Sequence, residues 1–184
     1  MSLLTYNNLV ELWEEGCLKY ADGSEPPIEH INGASIDITL GNTFKVEACC
    51  DNDVDFVNTQ VQWVTFSGVT QPFRLSPGEL VLVETAEIFN LPDDIACEYK
   101  LKSSQARNGL NHLLAGWGDP SWSDATMTLE LKNELRKQSI WLTPGQKIGQ
   151  IVFWRGEAVP EHALYRNRGQ YNNQRNAQES KGVK

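Results

Sequence analysis

The sequence has 184 residues, 40% hydrophobic and 22% charged, an ordinary globular composition that excludes a disordered or fibrous chain. That length suits one domain, or at most two small ones, and buries roughly 70% of the unfolded surface, so folding needs no metal or disulfide staple. Sixteen Lys and Arg against 24 Asp and Glu leave a net charge of −8, which argues against binding nucleic-acid polymers but not against one small anion held by a local basic cluster.

The first element, Leu4 to Tyr20, reads as an amphipathic helix. Leu9, Leu12, Trp13, Cys17 and Tyr20 recur at three- and four-residue steps, Thr5 is the expected N-cap, and Gly16 weakens the last turn. A loop follows at Gly23-Ser24-Glu25-Pro26-Pro27. Period-two alternation then predicts short strands at Ala34–Leu40, Glu79–Thr85, Ile95–Leu101, Ala125–Leu131, Ser139–Leu142 and Lys147–Trp154. Turn signals separate them, among them Ser76-Pro77-Gly78 and Thr143-Pro144-Gly145. Many short strands with close turns predict a mainly β sandwich or barrel. The acidic stretch from Cys49 to Gln71 is less regular and is expected to form an excursion from it. Residues 1–165 are taken as one domain. Residues 166–184, rich in Asn, Gln, Arg and Gly, are expected to form a mobile tail unless something orders them.

No apolar run reaches the length of a bilayer span, so no membrane partner is expected. Met1 to Val10 has neither a basic region nor a long apolar core. The expected location is the cytoplasm, or the host cytoplasm if the chain is viral. Cys17, Cys49, Cys50 and Cys97 show no C-x-x-C spacing and are expected to be reduced thiols. Gly-rich nucleotide motifs, the G-x-S-x-G elbow and the zinc-deaminase signature are missing. His30, His112 and His162 lie far apart in sequence, so no zinc site is expected.

Two segments carry chemistry. In Lys102-Ser103-Ser104-Gln105-Ala106-Arg107, hydroxyls, a guanidinium and an ammonium follow a strand directly. That donor set suits phosphate oxygens, although a polar surface turn has the same composition. In Thr128-Leu129-Glu130-Leu131-Lys132, alternation puts Glu130 on the face opposite Leu129 and Leu131. Such a carboxylate is either solvated or set in a pocket. Asp119 lies just upstream in a Gly/Pro turn.

In order and spacing these segments resemble the trimeric dCTP deaminase family of the dUTPase superfamily. The likeness runs through Glu29 to Asn42, Leu75 to Glu79, Lys102 to Leu110, Ala115 to Pro120, Leu129 to Leu131 with Asn133, Pro144 to Gln150, and Tyr165 with Tyr171 to Gln174. It implies a distorted β-barrel of the dUTPase-like (β-clip) type with an N-terminal helix, assembled as a homotrimer with active sites between subunits.

The resemblance also implies zinc-independent hydrolysis of the cytosine amine of dCTP. Glu130 would be general base and acid, oriented with its water by Ser103 and Arg107, and the Ala115 backbone would help fix that water. Lys102, Ser104, Trp117, Gln150, Tyr165, Gln170 and Gln174 fall at nucleotide-binding positions, and the mobile tail of residues 166–184 would close over the nucleotide. Mg²⁺ would arrive with the triphosphate and be held mainly by phosphate and water.

Some family members release dUTP, while others also cleave the triphosphate and release dUMP with pyrophosphate. The run Ala115 to Asp119, with Gln150, is more similar to the second group, in which Asp119 would help activate the water attacking phosphorus. Departures from the pattern are Lys102 for Arg, Gln170 for Lys, Leu114 for Thr, Gly118 for an apolar residue and Asp124 for a turn Gly. They bear on substrate preference, including a modified cytosine nucleotide. A dUTPase of the same fold and a non-catalytic nucleotide-binding trimer are the alternative readings.

Overall fold

The computed structural model describes residues 1–50, 53–55, 57 and 60–182. In chain order the elements are β1 (Ser2–Leu3), α1 (Tyr6–Glu14), β2 (Leu18–Lys19), β3 (Ile36–Glu47), β4 (Trp63–Phe66), β5 (Phe73–Leu75), β6 (Leu80–Asn90) and β7 (Ile95–Leu101). Then come α2 (Ser103–Arg107), β8 (Leu110–Asn111), β9 (Trp117–Gly118), β10 (Ser123–Asn133), β11 (Ile140–Leu142), β12 (Lys147–Arg155) and α3 (Tyr165–Arg168). Two 3₁₀ turns, Ile28–His30 and Glu161–Ala163, complete the set. None of the described helices is long and apolar enough to cross a membrane.

The helix expected to reach Tyr20 stops at Glu14. Gly16 takes φ +77°, a left-handed conformation that ends a helix. The apolar run then changes period, and Leu18 becomes a strand residue opposite Phe89 of β6. Leu9 and Leu12 anchor the helix in the core, while Thr5 sits at the N-cap without a side-chain capping bond.

All strand pairs are antiparallel. The main sheet follows the order β8-β10-β6-β3-β12-β7-β9, with β5 and β11 paired separately. Among the described residues its ends do not pair with each other, so the sheet curls into a half-barrel rather than a closed barrel. β3 makes the turn: its first half pairs with β12 and its second with β6 and β4. The register shifts between Leu40 and Phe44. At Gly41 a Cβ would run into the Glu84 side chain, so a larger residue there would displace that carboxylate.

Inside the curl, Phe44 stacks on Phe73 at 4.5 Å and Phe89 on Trp122 at 5.0 Å. Tyr99 and Phe153 are fully enclosed. β10 alternates as the sequence predicts, with Ala125, Met127, Leu129 and Leu131 buried in this core. Thr126, Thr128, Glu130 and Lys132 face the other side.

Residues 173–179 pack along that outer face. Asn173 N–H donates to Ser123 O, Thr126 N–H to Gln174 O, and Gln178 N–H to Thr128 Oγ1. Trp122 Nε1 donates to Tyr171 O at 2.7 Å, and Ala177 is buried. Several backbone groups of this polar segment are thus paired, and its one apolar residue, Ala177, is covered.

Candidate active site

Strand pairing sets Glu130 directly opposite Leu82 of β6. The tail covers this part of the sheet, and a cavity of about 440 Å³ remains beneath it. Glu130 lines this cavity with Ala115, Trp117, Asp119, Tyr165 and Gln174. Six residues spread over sixty positions thus meet because β9, β10 and the start of the tail converge at one rim.

Burial pushes the Glu130 carboxyl up to about 7, against an ordinary 4.5. A carboxyl tuned to that range can both take and return a proton near neutral pH. Asp119 Oδ1 accepts a hydrogen bond from Trp117 Nε1 at 2.9 Å, which holds the exposed indole and the carboxylate as a unit. Trp117 also stacks on Trp154 of β12. Tyr165 Oη accepts from Tyr171 N–H at 3.3 Å, and burial raises the pKa of its phenol. Gln174 Nε2 donates to Gln170 O, whereas Gln174 Oε1 is buried and without a partner. A buried acceptor left open is costly unless something donates to it. It therefore presents a polar edge to whatever fills the cavity.

The remaining expected residues lie elsewhere in the chain. Ser103, Ser104 and Arg107 are exposed on α2 and do not line the cavity. Lys102 Nζ donates to Asp37 Oδ1 at 2.6 Å, and Lys147 Nζ lies 3.2 Å from Asp37 Oδ2. Asp37 is buried, so one carboxylate positions two lysines beside α2. Gln150 pairs with Asp37 across β3 and β12, and its Oε1 accepts from Ser35 Oγ at 3.1 Å. Gln170 accepts through its carbonyl from Gln174 Nε2 and Lys181 Nζ, and its backbone also bonds to Tyr165. Among the described residues no hydrogen bond or ion pair joins Ser103 or Arg107 to Glu130: α2 leads into β8, which pairs with β10 only at Lys132 and Asn133, and its polar side chains are exposed rather than turned into the cavity.

Sequence reasoning left open whether the 49–71 excursion reaches the site. Val61 and Trp63 line the cavity with Leu80 and Leu82, giving it an apolar wall. Gln178, Glu179 and Ser180 form another edge. Alternation in β6 identifies Leu80 and Leu82 as neighbours on one face, but no local signal places Trp63 or the end of the tail there. Among the described residues the lining contains Asp119, Glu130 and Glu179 but neither Lys nor Arg. No group of three or more His, Cys, Asp or Glu among them is placed to hold a metal ion.

Fold and cavity together define a mainly β protein whose outer sheet face holds a cavity walled by apolar side chains, with the raised carboxyl of Glu130 in its lining. The chain belongs to the dCTP deaminase-like family, whose model matches residues 3–156. It is 40% identical over 148 residues to a "dCTP deaminase, dUMP-forming" from Nocardia farcinica, covering 76% of this chain and 72% of that one. A protein of the same name from Methanothermobacter thermautotrophicus is 32% identical over 158 residues, covering 83% and 79%. The fold matches the crystal structure of 2'-deoxycytidine 5'-triphosphate deaminase from Agrobacterium tumefaciens with a TM-score of 0.63 at 20% identity. That alignment takes in 86% of this chain and 49% of the other, so the chain spans about half the length of that protein.

Proposed function

We propose that the protein deaminates dCTP and cleaves the triphosphate, releasing ammonia, pyrophosphate and dUMP, with Glu130 as the general base and acid. The observation that carries this reading is Glu130 itself: a carboxyl raised to about 7 by burial, opening into an apolar cavity. The names of the relatives at 32–40% identity point to the same product.

Glu130 takes a proton from water, and the resulting hydroxide adds to C4 of cytosine. The proton goes to N3. A second transfer through Glu130 moves the hydroxyl proton to the amine, which leaves as ammonia. A neutral pKa suits both directions, because neither protonation state is strongly preferred. Asp119, held by Trp117, orients a second water toward the α-phosphorus, where the bond to the β-phosphate breaks. Gln174 Oε1 offers the unfilled acceptor for a sugar or base donor.

Among the described residues the cavity supplies carboxylates and no cation, which leaves the charge of a triphosphate to be balanced from outside it. The cationic set of Lys102, Lys147 and Arg107, with the hydroxyls of Ser103 and Ser104, lies outside it on the same chain. A second copy bringing its α2 to this rim completes the site, consistent with a homotrimer whose sites lie between subunits. Mg²⁺ would arrive with the triphosphate, held mainly by phosphate and water, and would screen its charge, while the Lys, Arg and Ser donors would meet phosphate oxygens. Glu130 performs the proton transfers at carbon without help from zinc.

The test incubates the full-length protein with dCTP and Mg²⁺ and separates the nucleotides by ion exchange. A dUMP peak with an equal amount of pyrophosphate is expected. A dUTP peak removes the hydrolytic role of Asp119. Intact dCTP beside hydrolysed dUTP replaces this reading with a dUTPase.

A further inference from the structure

The outer face of the sheet carries a row that crosses three strands. Glu130 on β10 stands opposite Leu82 on β6, and Leu82 stands opposite Lys45 on β3. Directly opposed residues project to the same face, so the Lys45 ammonium and the Glu130 carboxyl share one side of the sheet, two strand spacings or about 10 Å apart. The Lys45 side chain is only 14% exposed. Its Nζ lies 2.7 Å from Oε1 of Glu179, a residue that lines the Glu130 cavity.

The segment leading to Glu179 is fixed at successive points. Arg175 pairs with Asp124, which takes φ +51° where the resemblance leads one to expect a turn glycine. Thr43 Oγ1 meets Asn176 Oδ1 at 3.4 Å, Ala177 is buried, and Gln178 N–H donates to Thr128 Oγ1 at 2.9 Å. The segment thus runs above β6 with its residues held alternately by β10 and β3, Lys45 meeting it at Glu179, and beyond that point Lys181 N–H donates to Tyr171 Oη and Lys181 Nζ to Gln170 O.

We infer that Lys45 is a positioning residue of the site: through Glu179 it holds residues 175–180 as a strap along one edge of the Glu130 cavity, and the strap retains the nucleotide. An ammonium mostly withdrawn from water has a strong preference for its carboxylate partner. The retention role rests on the deaminase reading, whereas the anchoring role does not.

Hydrogen exchange of residues 173–182 in the full-length protein, read by mass spectrometry, tests the anchor. Lys45→Met should speed exchange at least tenfold across 175–180 and leave β6 and β10 unchanged. Glu179→Gln removes the same pair from its exposed end, and so gives the answer even if the Lys45 variant folds poorly. Combining Lys45→Glu with Glu179→Lys should restore slow exchange. Unchanged exchange in Glu179→Gln, or a double variant no slower than either single one, overturns the anchor.

Kinetics with dCTP test retention. Glu179→Gln should raise KM threefold to tenfold with kcat within twofold of the parent, and the charge-swapped pair should recover KM. A lower KM, or a loss confined to kcat, overturns retention. If the parent protein leaves dCTP intact, the deaminase reading and the retention role fall together, and exchange still decides the anchor.

Discussion

Replacing Glu130 with Gln keeps the size of the side chain and removes its titration. A pKa raised from 4.5 to about 7 means that folding disfavours the ionised carboxyl by about 3 kcal/mol, at ~1.4 kcal/mol per pH unit. The sign follows from linkage. A group whose folded pKa is raised contributes its full stability below the unfolded value and loses it as pH climbs through the folded value. Glu130→Gln should therefore be more stable than the parent at pH 8, by up to about 3 kcal/mol, with a gain of under ~1 kcal/mol at pH 5. Urea unfolding at the two pH values measures the difference. The same variant should lose on the order of 10²-fold to 10⁴-fold in deamination rate, the usual contribution of general acid–base catalysis. In the parent, kcat/KM should rise as pH passes through about 7, because the resting group must be ionised to accept the water proton. An equal stability effect at both pH values would refute the burial argument. Deamination that survives the substitution would refute the role in chemistry.

Glu87 is fully buried, accepts from Thr39 N–H and Oγ1, and is likewise pushed up to about 7, while burial also raises Glu84. By the same sign, the parent protein should lose stability from pH 5 to pH 8.5, which a thermal melt at each pH reads directly. Arg107→Met, on an exposed helix face, should change stability by less than ~0.5 kcal/mol yet abolish turnover. Co-expressing it with Glu130→Gln should recover about a quarter of the parent activity, the chance that a shared site draws its intact Glu130 and intact Arg107 from different chains in a mixed closed ring; no recovery means that one chain supplies both. Gly149→Ala would place a Cβ 1.9 Å from the enclosed Tyr99 ring and should cost about 3 kcal/mol or leave the protein insoluble, measured by soluble yield and melting temperature. A zinc-selective chelator should leave deamination unchanged, whereas EDTA in excess of Mg²⁺ should slow it by withdrawing the ion that travels with the triphosphate; a chelator-sensitive rate restored by zinc alone would contradict Glu130 acting at carbon unaided.

Local sequence determined a good deal of this protein. Alternation around Leu129, Glu130 and Leu131 put two leucines in the core and the carboxylate on the opposite face, because a strand reverses its side chains at each residue whatever it pairs with. The spans near Ile95–Leu101 and Lys147–Trp154 were legible for the same reason, bounded by turns whose Pro and Gly residues break strands locally. The order of short motifs disclosed the family.

Tertiary structure decided what depends on partners distant in sequence. Gly16 ended α1 because Leu18 found Phe89, so an apolar period suited to a helix was spent on a strand. Asn- and Gln-rich residues 170–180 read as a free tail, yet backbone donors on β10 and single partners at Asp124 and Lys45 hold them down. Trp63 reached the cavity only because β3 bends at Gly41 and carries β4 with it. Arg107, although α2 leads into the strand beside β10, lies exposed and outside the Glu130 cavity. Spacing along the chain reports which face a residue takes on its own element, while the curl of the sheet decides which elements meet.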